Sequence, residues 1–475
     1  MDLSQLDLSR LQFATTTIYH FLFVPITIGL SWLVAGLHTW WHRSGNPELR
    51  RLTRFFGTIL VINIAIGVVT GLVQEFEFGM NWSEYSRFVG DVFGAPLAME
   101  GLAAFFLEST FLGLWWFGWD VLPRRLHLLT IWAVAVGATL SAAFIMAANS
   151  WMQHPVGYEL DAETGRPVLT SISALFANPV FVWGYTHVVL ASLVTGSLVM
   201  ISVSAWQIRK GRTPEVFLRS LKLSLGVLLP VSILILLVGS QLGVIETKYQ
   251  PMKVAAMEAQ WDTCQPCSFS AAQTGGWTTS DEDPNKIIEI PHLLSILATL
   301  QWDGKVVGLN ELQAQYEQTY GPGDYIPNLF IQYWSMRVMA YLGAVLPVLA
   351  LWGCFLWWRG RLLKATSFLW VGTFAFLAPF AMNTAGWLLT ENGRQPWVVQ
   401  GLLLTEDANS PSVSVTEVAV TLGTFVVLYL GLGIVWGILM LRFAKRPLEP
   451  HPDRSDFDDG PGSSTPTPAL ASEVY

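Results

Sequence analysis

The segment MEGLAAFFLESTFLGLWWFGW, residues 99 to 119, is long and apolar enough to cross a lipid bilayer, because a spanning helix needs about 20 apolar residues. It nevertheless contains two acids, Glu100 and Glu108. A carboxylate in the hydrocarbon core costs about 2.5 kcal/mol or more. The segment therefore predicts a transmembrane helix whose two acids have a function.

The composition of the chain identifies an integral membrane protein. Of its 475 residues, 52% are hydrophobic and 13% are charged, whereas soluble domains contain about 25% charged residues. The 22 Trp and 27 Phe suit membrane interfaces or a large flat ligand. The net charge of −8, much of it in the C-terminal tail, gives no indication of a nucleic-acid partner.

The distribution of apolar segments predicts an all-α membrane protein. We expect a bundle of nine transmembrane helices, at residues 17–41, 56–79, 96–119, 127–149, 180–206, 219–242, 331–358, 367–389 and 414–442. One link is long enough to be functional. The chain is thus divided into helices 1–6 (1–242), one long external loop (243–330), helices 7–9 (331–446) and a tail (447–475). The tail is rich in Pro, Ser and Asp, and we expect it to be disordered.

The basic residues predict the orientation of the bundle. Most of the 27 Lys and Arg residues fall in alternate links between the helices, and such links are cytoplasmic by the positive-inside rule. This places the N-terminus, the long loop and the turn at 390–413 outside, and the C-terminus in the cytoplasm.

On this topology the unusual polar residues of the helices lie in one layer, the outer half of the bundle. They are His20, Glu100, His187, Arg337, Met339, Glu391 and Arg394. The other six His residues fall at helix ends or in loops. A lone membrane His is often structural, and Met often fills gaps in a core, but structural residues would not collect in one layer. Imidazole and thioether are haem-iron ligands, which makes His187 and Met339 a candidate axial pair.

The two acids of the opening segment do not share a site. Eight residues of helix correspond to a rise of ~12 Å and a rotation of ~80°, so Glu108 lies deeper than Glu100. A buried carboxyl group can carry protons. The alternative for Glu108 is a neutral acid that bonds to a neighbour, with Ser109 or Ser141 as candidates.

Five motifs resemble subunit I of the cytochrome bd quinol oxidases, in order along the chain. They are LQFATTTIYHFLFVPITIGL (11–30), the segment at 99–119, AANSWMQHPVG (147–157), YWSMRVM (333–339) and GWLLTENGRQPW (386–397). The resemblance extends through all nine helices and leaves out only the tail.

The resemblance implies three haems: low-spin haem b, high-spin haem b and haem d. His187 and Met339 match the axial ligands of low-spin haem b, with Arg337 beside them to compensate a propionate. The ligand positions of the other two haems are matched by His20, Glu100 and Glu391, and which residue serves which haem stays open. The remaining matches are Glu108 and Ser141 in the proton path, Trp387 as an electron bridge, Arg394 as a propionate partner, and Arg10 and Asn149.

The long loop resembles the family's quinol loop in its short form. Within KVAAMEAQWDT (253–263), Lys253 and Glu258 match the quinol-associated residues, and a carboxylate near the outer surface can accept a proton from quinol. From the residues alone, an ordinary exposed pair on an amphipathic segment is the simpler interpretation. Cys264 and Cys267 in the same loop form either a disulfide or two free thiols, because no His follows them to complete a CxxCH haem site.

The resemblance implies a quinol:oxygen oxidoreductase of the bacterial plasma membrane. It would oxidise quinol outside, reduce oxygen to water with cytoplasmic protons, and generate membrane potential without pumping. The partners implied are a second subunit, with small single-helix subunits as further candidates. The rival from another class is a secondary transporter, but such proteins usually place polar residues near the midplane of repeated halves. The sequence does not name the quinone.

Overall fold

The computed structural model describes residues 4–448, and within them nine helical segments are long and apolar enough to cross a membrane. These spans are Gln5–Ser44, Pro47–Met80, Ser83–Phe117, Arg124–Gln153, Pro179–Arg209, Pro214–Tyr249, Leu329–Trp358, Thr366–Arg394 and Val415–Ala444. The predicted all-α bundle is confirmed. The spans run several residues beyond most of the predicted bounds. Most of the predicted tail, from residue 449, lies outside the described residues.

The helices in chain order are α1 (Gln5–Phe21), α2 (Val24–Ser44), α3 (Pro47–Met80), α4 (Ser83–Met99), α5 (Phe106–Phe117), α6 (Arg124–Gln153), α7 (Ile172–Ala177), α8 (Pro179–Arg209), α9 (Pro214–Tyr249), α10 (Pro251–Met257), α11 (Leu293–Thr299), α12 (Leu309–Tyr320), α13 (Leu329–Trp358), α14 (Thr366–Phe374), α15 (Leu377–Arg394) and α16 (Val415–Ala444). A π-helical turn (Glu100–Phe105) joins α4 to α5, and a 3₁₀ turn (Leu362–Lys364) precedes α14.

Three short antiparallel strand pairs lie in the links. They are β1 (Tyr158–Leu160) with β2 (Pro167–Leu169), β3 (Phe269–Thr274) with β4 (Asn285–Ile290), and β5 (Trp397–Val399) with β6 (Leu403–Leu404). The long loop is therefore folded. It contains β3, β4 and the helices α10, α11 and α12, and a disulfide joins Cys264 to Cys267, which resolves the alternative that the sequence left open.

Two interruptions of the spans fall at predicted site residues. The first span breaks at Leu22 and Phe23, just beyond His20 and Phe21, and Pro25 lies in the first turn of the next helix. The third span changes to π-helix at Glu100, four residues after Pro96. Proline has no N–H to continue the helical ladder, and single π-helical turns occur often at functional sites.

The centre of the bundle is the packing of α2 against α8. A Cβ on Gly29 would lie 1.8 Å from the Ser192 carbonyl oxygen, and a Cβ on Gly196 would lie 2.4 Å from the Gly29 carbonyl carbon. Only glycine permits this approach of two backbones. The third and ninth spans, in contrast, have few fully buried residues within the described chain.

Candidate functional site

His20 is held by a hydrogen bond from the neighbouring span. Its Nδ1 lies 3.0 Å from the Thr70 hydroxyl of α3. The next residue of α3 is Gly71, where a Cβ would lie 3.1 Å from the imidazole Cε1. Fixing one ring nitrogen by a hydrogen bond orients the other for a ligand, which makes Nε2 the candidate ligand atom of His20.

Glu100 accepts a hydrogen bond from Ser141 of α6, with 2.6 Å between the two oxygens. Ser141 thus bonds to Glu100 rather than to Glu108. Ser109, the other candidate for Glu108, donates to the Phe105 carbonyl of its own helix. Glu100 interacts electrostatically with Glu108 and also with Glu75 of α3, an acid that the sequence analysis did not single out.

Glu391, near the end of α15, is held from two sides. The Asn149 amide of α6 donates to its Oε1 at 2.8 Å, and Arg394 forms an ion pair with its Oε2. Arg394 is buried, and its Nε and Nη1 have no hydrogen-bond partner within residues 4–448. Unpaired buried guanidinium nitrogens suit an anionic group such as a haem propionate. Trp387 lies four residues before Glu391 and therefore on the same face of α15.

The two candidate axial ligands each lie against a glycine of another helix. A Cβ on Gly239 of α9 would approach Cε1 of His187 to 3.3 Å, and a Cβ on Gly386 of α15 would lie 3.1 Å from the Met339 sulfur. Nδ1 of His187 is buried without a hydrogen-bond partner in the described chain. An unsatisfied imidazole nitrogen and a thioether fit a low-spin haem as donor set.

Arg337 and Glu258 form an ion pair that links the loop to α13. Nη2 of Arg337 lies 2.7 Å from Oε2 of Glu258, and both side chains are almost fully buried, at 1% and 2% exposure. The guanidinium also donates to the Ser270 carbonyl on β3, at 2.5 Å from Nη2, and stacks 3.6 Å from the Tyr333 ring centroid. Arg337 was predicted beside a haem propionate, but here its charge is directed to the loop carboxylate.

The burial of Glu258 excludes the exposed surface pair that the residues alone favoured. Burial raises the pKa of Glu258, and the Arg337 guanidinium offsets part of that rise. A carboxyl group with a raised pKa binds a proton more readily than an exposed one. This property suits Glu258 to accept a proton at the loop.

Lys253 is also buried, and it contacts a residue that the sequence analysis did not identify. Its ammonium lies 2.8 Å from the Glu246 carboxylate and donates to Oε1 of Gln153 at 2.6 Å. Gln153 in turn donates from Nε2 to Oδ1 of Asn149 at 2.9 Å. The sequence could have indicated the Gln153–Asn149 contact, because these two residues of the motif AANSWMQHPVG are four residues apart and so share one helix face.

Two His residues assigned to helix ends are buried on the side opposite the loop, and one of them, His127, does lie in the first turn of its helix. His38 lies inside α2 and accepts a hydrogen bond from the Trp115 indole at 3.0 Å, and His127 of α6 lies 2.8 Å from the Trp115 carbonyl oxygen. The polar residues of the helices are therefore not confined to one layer.

Within residues 4–448, nine helices long enough to cross a membrane present imidazole, thioether and carboxylate groups beneath a folded loop. This arrangement fits the class of membrane oxidoreductases that bind haem. The comparisons with known proteins agree. Residues 8–448 match the family model of cytochrome bd terminal oxidase subunit I. The chain belongs to this family.

Relatives and a solved structure cover almost the whole chain. The chain is 41% identical to cytochrome bd ubiquinol oxidase subunit 1 of Bacillus subtilis, over 100% of this chain and 99% of the relative. It is 38% identical to cytochrome bd-II ubiquinol oxidase subunit 1 of Escherichia coli, over 93% and 96%. The structure of bd oxidase from Geobacillus thermodenitrificans matches with a TM-score of 0.82 at 29% identity, over 93% of this chain and 98% of that chain.

Membership of this family identifies the chain as an integral membrane subunit of a terminal oxidase, an oxidoreductase that uses quinol. Haem binding is expected for the family, and a subunit 1 implies a second subunit.

Proposed function

We propose that the chain oxidises quinol at its loop on the outer face of a bacterial plasma membrane and delivers the electrons to oxygen, which is reduced to water with cytoplasmic protons. The observation that carries this proposal is the buried Arg337–Glu258 ion pair. It joins the loop directly to the helix turn that holds Met339, so substrate and redox centre are adjacent. Such an arrangement generates membrane potential without pumping.

At the loop, Glu258 accepts a proton from the quinol and Lys253 orients it. Both side chains are buried and paired, so their positions are fixed before the substrate binds. Preorganised charges need no reorientation during the reaction. We expect the domain division of the chain to follow this role, with residues 243–330 as the quinol-binding unit.

Haem would supply electron transfer and oxygen binding, and the chain supplies the ligands. His187 and Met339 would hold the low-spin haem b. His20, Glu100 and Glu391 would hold the high-spin haem b and haem d between them. Arg394 compensates a propionate with its two unpaired nitrogens, and Trp387 lies beside Glu391 as an electron bridge.

Protons would reach this site from the cytoplasm through Glu108. Glu108 lies about 12 Å deeper than Glu100 along the helix, and the two acids interact electrostatically. Ser141, bonded to Glu100, holds the receiving carboxylate in place. The N-terminus and the loop face outside, and the C-terminus faces the cytoplasm.

The exposed spans fit protein partners. Few residues of the third span are fully buried within the described chain, and its two acids, Glu100 and Glu108, are half-buried. An acid that the chain only partly covers within the membrane is costly, so we expect the second subunit to cover this span. Small single-helix subunits are further candidates for the exposed helix faces.

A dithionite-reduced minus oxidised optical spectrum of the purified protein tests the proposal. We expect b-type bands and a red-shifted chlorin band, together with oxygen consumption that depends on added quinol. A secondary transporter would show neither, and the absence of haem bands would refute the proposal.

A further inference from the structure

A chain of hydrogen bonds connects the loop to Glu391. The Lys253 ammonium donates to Gln153 at 2.6 Å, Gln153 donates to Asn149 at 2.9 Å, and Asn149 donates to Glu391 at 2.8 Å. We propose that Gln153 is a positioning residue that couples the occupancy of the quinol loop to the geometry of Glu391. This inference rests on the proposed function, in which Lys253 contacts quinol and Glu391 serves a haem.

Lys253 and Glu391, at the two ends of this hydrogen-bond chain, determine the orientation of the side-chain amides between them. A lysine ammonium can only donate hydrogen bonds, and an ionised carboxylate can only accept them. Gln153 must therefore turn Oε1 to Lys253 and Nε2 to Asn149. Asn149 must repeat that orientation toward Glu391. If either amide flipped, two donors or two acceptors would face each other, so the chain has a single satisfied arrangement.

Packing leaves Lys253 little freedom to move independently of this chain. A Cβ on Gly393 would lie 2.4 Å from Cγ of Lys253, so the end of α15 is in contact with the lysine stem. The Gln250 amide holds the Gln153 carbonyl at 2.5 Å, which fixes the backbone from which the Gln153 side chain extends. Gln153 is 3% exposed. Displacement of the ammonium by a bound quinol is therefore transmitted through Gln153.

Glu391 is sensitive to this transmission because each of its oxygens has a separate partner. Oε2 forms an ion pair with Arg394, which lies three residues further along the same helix. Oε1 is held by Asn149, from another helix. A change in the amide chain therefore rotates the carboxylate about the Arg394 contact and changes the oxygen that it presents.

Two substitutions of Gln153 distinguish its hydrogen bond with Lys253 from its hydrogen bond with Asn149. Gln153→Glu keeps an acceptor for Lys253 but places a carboxylate oxygen against Oδ1 of Asn149. Gln153→Leu removes both bonds. The matched control is Gln332→Leu, because Gln332 is another fully buried glutamine bonded to α15, through the Leu389 carbonyl and the Asn392 amide. It has no bond to Lys253 or Asn149 among the described residues.

The experiment measures the high-spin haem spectrum of the complete oxidase as a tail-bearing hydroxyquinoline N-oxide, a redox-inert quinol analogue, is added. We expect the analogue to shift this spectrum in the wild type and in Gln332→Leu. We expect both Gln153 variants to lose the shift. The KM for quinol should rise roughly tenfold in Gln153→Leu, because a charged hydrogen bond is lost. In Gln153→Glu the KM should stay at its wild-type value.

A shift that persists in Gln153→Glu, or a wild type that shows none while it still binds the analogue, would overturn the coupling. Failure of the proposed function looks different, because the wild-type protein would then neither oxidise quinol nor be inhibited by the analogue.

Discussion

Arg337 and Glu258 show at the level of single residues how the site is stabilised. Two charges that are almost fully buried must be paired, because removing one partner of a buried ion pair costs about 3–5 kcal/mol. Here the pair is supplemented by the Ser270 carbonyl and the Tyr333 ring. The same pairing fixes the position of the turn that holds Met339.

Met339→Leu should abolish the low-spin haem signal and leave that of haem d, because leucine keeps the side-chain volume but has no sulfur to bind iron. The reduced-minus-oxidised spectrum measures both signals. An unchanged low-spin spectrum would exclude Met339 as a ligand.

Glu100→Gln and Glu108→Gln should have different effects. In the proposed assignment Glu100, which is bonded to Ser141, is a haem-site carboxylate, so its loss should disturb the haem spectra. The loss of Glu108 should mainly slow turnover, because it acts on proton delivery. Spectra and quinol-dependent oxygen consumption are compared for the two variants. Loss of haem in both would show that this division of roles is wrong.

Glu258 should make the rate of quinol oxidation fall at low pH, which gives the pH profile of turnover an acid limb. Because burial raises the pKa of Glu258, the carboxylate that accepts a proton forms only above the ordinary glutamate range, and turnover should fall as pH drops through that raised pKa. Glu258→Gln should lower turnover and remove the limb. The measurement is turnover against pH at saturating quinol, with Glu289→Gln, an exposed acid on β4 of the same loop, as control. A limb that remained in Glu258→Gln would assign it to another group.

At the level of elements, breaks in the helical spans lie next to two of the candidate ligands. His20 precedes the break between α1 and α2, and Glu100 opens the π-helical turn of the third span. Both positions follow from local departures from regular helix near a proline. The spacing of apolar residues carries no sign of either break, whereas Pro25 and Pro96 do.

The α2–α8 contact should be intolerant of any side chain. Gly29→Ala would place its Cβ 1.8 Å from the Ser192 carbonyl oxygen, so the two helices must separate. We expect a loss of several kcal/mol in stability, by overpacking. Gly36→Ala on the same helix, whose Cβ would meet only a Leu223 methyl at 4.0 Å, is the control. Thermal unfolding of the haem-loaded protein measures the difference, and equal melting temperatures would contradict the expectation.

For the whole molecule, the predicted site residues lie on the loop side, and Glu108 lies deeper. The proposed function uses this polarity, with quinol chemistry on one face and proton uptake from the other. The buried cluster of His38, Trp115 and His127 on the opposite side shows that polar groups also occur there, in a hydrogen-bonded aromatic environment.

Vesicles that contain the oxidase in one orientation test this polarity. With the loop facing the bath, quinol oxidation should acidify the bath while oxygen reduction consumes protons from the lumen. Fluorescent pH indicators on the two sides measure both changes. Glu108→Gln should slow the luminal change, and proton consumption on the loop side would reverse the proposed direction.

The sequence by itself determined the nine spans, the class of protein and the set of candidate ligands. Span length and hydropathy are properties of continuous segments, since each membrane helix satisfies its own backbone hydrogen bonds. The motifs around His20, Glu100, Met339 and Glu391 are likewise continuous in the chain.

Only the tertiary structure decided which of these residues meet. Arg337 pairs with Glu258, 79 residues away, and Lys253 reaches Gln153, 100 residues away. Ser141 bonds to Glu100 and not to Glu108. Such contacts depend on how the helices pack and on how the loop folds over them. The spacing of apolar residues within one segment determines neither. Burial then changed Lys253 and Glu258 from an ordinary surface pair into two fixed charges, because a charge removed from water needs a partner.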